Sequence, residues 1–227
     1  MSFRSQVLFG ALSLLPATLA SPTNFIVSAR QSALDYPYTL TAYAPNNSTL
    51  NGAKAQDGGS LFQAKVGSYC PTIVSSCPNG TETAYVGTLY PSAMVPGGQD
   101  LYVTKEGQIL ITVQHSHSIP PGAYWNYYGW TWNALPTDDE SYPSPASNCP
   151  ADDLRYNCAA PTGYWTFHAP DAPEDVGGVV ACPSAYDPAY AVAYAVTPEF
   201  NRTDCTPMVG LGTHNYTGEL PPVWSYL

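Results

Sequence analysis

The chain has 227 residues, with 7 basic and 17 acidic side chains and a formal net charge of -10. Its Lys and Arg residues are scattered singly, whereas a site that neutralises nucleic-acid phosphates needs them in clusters. The composition therefore excludes binding of that kind, and we expect no nucleic-acid partner.

The first twenty residues have the pattern of a secretory signal peptide. Arg4 precedes an apolar run at 7–15, and the small residues Thr18 and Ala20 stand before a suitable cleavage point. The run is too short to span about 30 Å of hydrocarbon, and no second run of about 18 apolar residues follows. We expect a secreted protein that loses residues 1–20 and has no membrane partner.

The rest of the chain predicts one all-β domain, with residues 21–35 as an N-terminal extension and 36–227 as the domain. The 23 prolines and 18 glycines leave few stretches long enough for a helix, while short β-favouring runs between turn residues are typical of strands. We expect a single antiparallel β domain, a β-sandwich or a trefoil-like barrel, with long Pro/Gly-rich loops, few or no helices and disulfide staples. Predicted strands cover 38–43, 60–65, 84–89, 164–168, 179–181 and 190–196.

Cysteines and glycosylation sequons fit a secreted eukaryotic chain. The six cysteines form three sequence-local couples, and we favour pairing within each couple over other connectivities because short loops close at the lowest entropic cost. N-x-[ST] sequons predict N-glycans on surface loops, with one glycan for the overlapping first pair. The cysteines are Cys70, Cys77, Cys149, Cys158, Cys182 and Cys205. The sequons begin at Asn46, Asn47, Asn79, Asn201 and Asn215.

The clearest hairpin is the segment "QDLYVTKEGQILITVQ". Residues 101–104 and 109–113 are β-favouring runs on either side of the turn "KEGQ", in which Gly107 is available for a positive φ.

Two histidines follow this hairpin in "VQHSHS". On a continuing strand His115 and His117 would share one face and bind a metal with His168 or His214 as a third ligand. The alternative is that the strand ends near Gln114, which leaves both histidines in a solvated loop. We favour the loop and predict neither a metal site nor a cofactor.

The stretch "YWNYYGWTW" at 124–132 carries six aromatic rings in nine residues. On a strand, one face would carry Tyr124, Asn126, Tyr128, Trp130 and Trp132, and the other Trp125, Tyr127, Gly129 and Thr131. The first set has four rings and makes the better core. Trp125 and Tyr127 are therefore the candidates for stacking on sugar rings, with edge packing under a loop as the alternative reading.

Residues 136–161 form an acidic, Pro-rich segment that we interpret as a disulfide-tied loop insertion. A glycosidase would need two carboxylates about 5–10 Å apart across a cleft. The acidic clusters at 138–140, 152–153 and 171–175 all lie in polar, Pro-flanked loops. We therefore expect no catalytic residues and no enzyme.

Residues 95–130, "VPGGQDLYVTKEGQILITVQHSHSIPPGAYWNYYGW", resemble the PhiA-type cell-wall proteins of filamentous fungi, a family also catalogued as IgE-binding allergens. The shared pattern is Pro-Gly-Gly-Gln, a tyrosine-bearing strand, a Gly turn, "QHS" and "PPGA". The similarity continues more weakly through 50–83 and from 177 to the C-terminal "PPVWSYL", and it does not include the insertion at 136–161.

This resemblance implies a secreted glycoprotein of the fungal cell wall, with a structural or matrix role linked to spore-bearing cells and conidia. Its expected partners are wall polysaccharides or wall glycoproteins, and the family has no recognised catalytic residues to carry over. The alternative function is a polysaccharide-active enzyme or a carbohydrate-binding module that uses the aromatic stretch at 124–132.

Overall fold

The computed structural model describes residues 34–136, 149–150, 152–187 and 189–227. Within these residues every regular element is a β-strand, which confirms the all-β prediction, and none forms a helix able to cross a membrane. The predicted signal peptide and residues 21–33 lie outside the described part. The strands are β1 (Leu34–Tyr43), β2 (Lys54–Gln56), β3 (Ser60–Leu61), β4 (Ser68–Tyr69), β5 (Tyr85–Gly87), β6 (Tyr90–Pro91), β7 (Leu101–Val103), β8 (Ile109–Ile111), β9 (Tyr124–Trp125), β10 (Trp130–Ala134), β11 (Gly163–Phe167), β12 (Val179–Pro183), β13 (Ala191–Ala195), β14 (Thr206–Met208), β15 (Gly210–Asn215) and β16 (Ser225–Tyr226).

The longest strand, β1, lies inside the main sheet and begins within the predicted N-terminal extension. One edge pairs with β15, from Tyr38 opposite Asn215 to Tyr43 opposite Gly210. The other edge pairs first with β5 and then with β2. Every residue from 38 to 43 is buried, because strands cover both edges of β1 and other parts of the chain cover both of its faces.

Eleven strands form one open antiparallel sheet in the order β10-β11-β15-β1-β2-β3-β13-β12-β14, with β5 and β6 attached beside β1. A two-stranded sheet contains β4 and β16, and a three-stranded sheet contains β7, β8 and β9. The path through the large sheet runs from β10 to β14 without joining its ends, so the described strands do not close into a barrel. The trefoil-like barrel is therefore not the architecture observed.

The hairpin predicted from "QDLYVTKEGQILITVQ" is confirmed as β7 and β8. Leu101 pairs with Ile111 and Val103 with Ile109 across the hairpin. Gly107 has a φ of +92°, and a Cβ atom there would overlap the carbonyl oxygen of Ala195. The turn therefore needs glycine both for its backbone conformation and for the close approach of β13.

The predicted strand at 60–65 is shorter than expected. Phe62 has a φ of +65°, which turns the backbone out of the sheet, so β3 ends at Leu61. The left-handed region is unusual for a bulky side chain, and the sequence gives no sign of it. The other five predicted strands overlap β1, β5, β11, β12 and β13.

Three disulfide bonds join Cys70 to Cys77, Cys149 to Cys158, and Cys182 to Cys205. These are the three sequence-local couples. The first closes an exposed loop after β4, and the third ties β12 to the residue before β14.

The described part of the insertion packs along β2. Asn157 N donates to Gly52 O at 2.9 Å, and Lys54 N donates to Arg155 O at 2.9 Å. The Tyr156 hydroxyl donates to Thr49 O at 2.9 Å. The Cys149–Cys158 bond closes the base of this segment, so the insertion continues the domain and is held to it by backbone hydrogen bonds.

Residues 221–227 form a C-terminal segment that is hydrogen-bonded to a buried glutamine, Gln99. Its Nε2 donates to Thr112 O at 2.6 Å and to Tyr226 O at 3.1 Å, while its Oε1 accepts from Tyr226 N at 2.8 Å. One side chain thus completes the backbone hydrogen bonding of two segments. Gln99 is the last residue of the Pro-Gly-Gly-Gln motif, so the motif has a structural role.

The "QHS" motif contacts the same C-terminal segment. The Ser225 hydroxyl donates to Gln114 Oε1 at 3.3 Å, and the His115 ring meets Trp224 edge-on at 5.8 Å. Two of the motifs that carry the fungal resemblance, Pro-Gly-Gly-Gln and "QHS", therefore contact residues 221–227.

Candidate functional site

The aromatic stretch at 124–132 is split by a turn and is not one strand. Tyr128 N donates to Trp125 O at 2.9 Å to close the turn between β9 and β10. Gly129 follows with a φ of +80°, and a Cβ atom there would lie 2.6 Å from His168 O. The strand parity derived from the sequence is therefore wrong for Tyr128, which is 50% exposed and does not share a core face with Trp130.

The second half of the stretch enters the core. Trp130 is buried, and its ring packs edge-on against Phe167 at 5.1 Å. Trp132 is partly buried, and its Nε1 donates to the Thr213 hydroxyl at 3.3 Å. These two rings anchor β10 beside β11. Both belong to the face of the stretch that was predicted to form the core.

The first half of the stretch instead contributes the partly buried Trp125 and the exposed Tyr127 and Tyr128 to an aromatic surface, which we define together with Tyr90 of β6 because Tyr90 also raises the pKa of Tyr127. Tyr127 and Tyr128 are 53% and 50% exposed, and their ring centroids lie 4.6 Å apart. The planes of Trp125 and Tyr127 are within 3° of parallel, with centroids 6.4 Å apart. The structure thus brings the two predicted stacking residues together and adds Tyr90 and Tyr128.

A buried amide fixes this turn to its neighbour. Asn126 is fully buried, and its Nδ2 donates to Thr88 O at 2.9 Å, in the turn between β5 and β6. That turn leads directly to Tyr90, which is 40% exposed. Asn126 is a positioning residue that sequence reasoning missed, and the Asn-to-Gly spacing of "NYYG" is the turn signal that marks it.

A hydrogen-bonded pair of Asp100 and His117 lies on the same side of the molecule as the aromatic surface. The pKa of Tyr127 is raised above its ordinary value, first by partial loss of solvent and then by Tyr128, Tyr90 and Asp100. The carboxylate of Asp100 accepts a 2.5 Å hydrogen bond from Nδ1 of His117. Rings with parallel planes beside polar groups can hold a sugar chain by stacking and by hydrogen bonds to its hydroxyls.

The four candidate metal-binding histidines lie in separate places, with His168 exposed directly after β11. The strand β8 ends at Ile111, so His115 and His117 lie in the following loop, against Trp224 and Asp100 respectively. His214 is buried, and its Nε2 is hydrogen-bonded to the Thr41 hydroxyl at 2.9 Å. Among the described residues, no three His, Cys, Asp or Glu side chains gather as a metal site would require.

Two carboxylates of the acidic clusters, Asp153 and Asp171, are bound to other side chains. Asp153 forms a bidentate pair with Arg155, whose hydrogen bonds lower the pKa of Asp153 to about 2. Asp171 accepts from the Tyr124 hydroxyl at 2.9 Å. Residues 138–140 lie outside the described residues.

One perturbed carboxylate was not singled out from the sequence. Asp57 follows β2, and burial raises its pKa to about 6, although its Oδ2 accepts from Gly67 N at 2.8 Å. Its Oδ1 is buried without a hydrogen-bond partner among the described residues. A single carboxyl group of this kind lacks the second carboxylate that glycoside hydrolysis requires, so it does not form such a site by itself.

The sequons lie at the surface. Asn46, Asn79, Asn201 and Asn215 are exposed. Asn47 is half-buried, and its Oδ1 accepts from Thr49 N at 3.2 Å and Leu50 N at 3.1 Å.

The chain is similar to one protein of the fungus Arthroderma benhamiae, described as "Uncharacterized secreted protein". The two are 28% identical over 194 residues, which cover 82% of this chain and 84% of the relative. No family model matches the chain, and no solved structure matches it. The comparison supports a secreted fungal protein, which is the coarser part of the resemblance drawn from the sequence, and does not extend to the PhiA-type family.

Proposed function

We propose that this chain is a secreted, non-catalytic glycoprotein of the fungal cell wall that contacts wall polysaccharide through its aromatic surface. The observation that carries the proposal is the group Tyr90, Trp125, Tyr127 and Tyr128, in which two phenol rings are half exposed and two ring planes are parallel. Sugar rings present flat C–H faces, and aromatic rings are the side chains that bind such faces. A role in the walls of spore-bearing cells and conidia follows from the resemblance to PhiA-type proteins.

Charge favours a neutral polymer over a polyanion. Once residues 1–20 are removed, Arg4 is lost and the chain has 6 basic and 17 acidic residues. This excess of negative charge repels polyanions at long range and leaves neutral polymers unaffected.

Pull-down on insoluble β-glucan, chitin and mannan tests the proposal. We expect the parent to bind at least one of the three polymers. The double variant Trp125→Ala/Tyr127→Ala should lose binding, and Tyr127→Ala/Tyr128→Ala should weaken it about tenfold if the two exposed rings contribute about 1.4 kcal/mol. The second variant alters only half-exposed rings, so its melting temperature should stay close to that of the parent.

Tyr186→Ala serves as the matched control, because Tyr186 is fully exposed and lies outside the aromatic surface. It should bind like the parent. Parental binding by Tyr127→Ala/Tyr128→Ala, with the fold intact, would overturn the proposal. Hydrolysis of any of the three polymers by the purified protein would contradict its non-catalytic part.

A further inference from the structure

A second concave site lies where the insertion meets the edge of the sheet formed by β12, β13 and β14. It has a volume of about 420 Å³, within the range of about 300–1,000 Å³ typical of small-molecule sites. Its lining includes three aromatic rings and two charged side chains, namely Phe62, Tyr156, Tyr190, Arg155 and Asp204. We call it the insertion cleft.

One wall of the insertion cleft is rigid because the insertion is fixed at several points. The Cys149–Cys158 disulfide closes its base, and Arg155 O accepts from the backbone of Lys54. The Tyr156 hydroxyl is tied to Thr49 O at 2.9 Å. The Tyr156 ring is therefore held in place before any ligand arrives, which reduces the entropy lost on binding.

The floor of the insertion cleft contains a strained residue. Phe62 has a φ of +65°, and its ring meets Tyr156 edge-on at 5.7 Å. A non-glycine residue in this region has a strained backbone, and such residues cluster at binding sites. This strained backbone conformation places the Phe62 ring against Tyr156 in the cleft.

The opposite wall is fixed by the Cys182–Cys205 disulfide and by Arg202. The Arg202 guanidinium donates to Pro183 O at 2.9 Å and to Asp204 at 2.7 Å, and it lies 5.3 Å from the centre of the Tyr194 ring. Both walls of the cleft are consequently held by a disulfide bond and by hydrogen bonds, which are charge-assisted on the Arg202 side.

Each charge that lines the insertion cleft has a partner of opposite sign beside it. Arg155 is paired with Asp153, and Asp204 with Arg202. A cleft of aromatic rings with balanced charges suits a neutral ligand that has both apolar faces and hydroxyl groups. Neutral sugars have this combination, whereas an ionic ligand would find no uncompensated charge among the described residues that line the cleft.

We propose that the insertion cleft binds a neutral mono- or oligosaccharide, with Tyr156 and Tyr190 against its faces and Arg155 and Asp204 hydrogen-bonded to its hydroxyls. The site is separate from the aromatic surface and does not rest on the function proposed for it. Two sources of sugar fit the same chemistry, a free oligosaccharide and a glycan on Asn47, whose side chain lines the cleft.

Calorimetric titration with di- and trisaccharides of β-glucan, chitin and mannan tests this inference. We expect binding of at least one probe by the parent or by Thr49→Ala, which removes the Asn47 sequon and keeps that of Asn46. Tyr190→Ala, in whichever background binds, should weaken affinity about tenfold or more. Tyr190 is partly exposed, so this truncation should leave the fold intact, as the melting temperature will show.

Tyr186→Ala is again the control and should bind like the parent. Binding only after Thr49→Ala would support the cleft with the Asn47 glycan as its occupant, and equal binding by both proteins would support a free oligosaccharide. Absence of binding in both proteins, or undiminished binding by Tyr190→Ala, would overturn the inference. Trp125→Ala/Tyr127→Ala should keep oligosaccharide binding and Tyr190→Ala should keep polymer pull-down, so the two sites can fail independently.

Discussion

Replacement of Gln99 by methionine tests whether the hydrogen bonds made by the Pro-Gly-Gly-Gln motif to the C-terminal segment stabilise the fold. Methionine has nearly the shape of glutamine and can fill the same space, so packing changes little. What it removes is the carboxamide, which makes two hydrogen bonds to Tyr226 and one to Thr112 O. The variant therefore isolates the hydrogen bonds from the volume they occupy.

The expected loss is large because three backbone groups lose their Gln99 partner at a buried site. Leaving one buried donor or acceptor unsatisfied costs about 1–3 kcal/mol. Since the C-terminal segment can relax, we expect the sum to be about 3–5 kcal/mol. That is a large part of the roughly 5–15 kcal/mol by which domains are stable.

Urea unfolding with the disulfide bonds intact measures this loss. With a slope of about 2 kcal/mol per molar urea, Gln99→Met should unfold at a midpoint about 1.5–2.5 M below that of the parent. The matched control is Gln108→Met, an exposed glutamine whose change should stay within about 0.5 kcal/mol. A decrease in the free energy of unfolding below about 1 kcal/mol for Gln99→Met would refute the stabilising role of these hydrogen bonds.

Two further predictions concern Asp57 and Gly107. The folded-state pKa of Asp57, about 6, lies above its ordinary value of 3.8, so its contribution to stability is fully present below about pH 4 and is lost as pH rises through 6. Asp57→Asn should thus gain about 2–3 kcal/mol relative to the parent between pH 4 and pH 7.5 in urea titrations, and a pH-independent difference would contradict this. Gly107→Ala should cost about 3 kcal/mol or more through overlap with Ala195 O, whereas Gly178→Ala, at a φ of +102° in open space, should cost about 1 kcal/mol. Equal melting temperatures for the two glycine variants would argue against the overlap.

Sequence patterns predicted the parts of this protein that depend on neighbouring residues. The hairpin of β7 and β8 followed from two β-favouring runs around Gly107, because turn chemistry and strand propensity act over a few residues. The three disulfide couples followed from spacing, since short loops close at low entropic cost. Trp125 and Tyr127 were chosen as candidate stacking residues because strand parity assigned the four other rings of the stretch to the core face.

Tertiary structure decided what depends on contacts between distant segments. Strand parity placed Tyr128 in the core, but the turn that Asn126 fixes to Thr88 O leaves Tyr128 beside Tyr127 at the surface. The insertion cleft brings together Phe62, Tyr156 and Tyr190, which are separated by 94 and 34 positions in the sequence. The sequence by itself determined the all-β class, the β7–β8 hairpin and the local disulfides, because short-range propensities and short loops set them. Only the packed fold decided which rings meet and which face solvent, because that depends on the pairing of strands far apart in the chain.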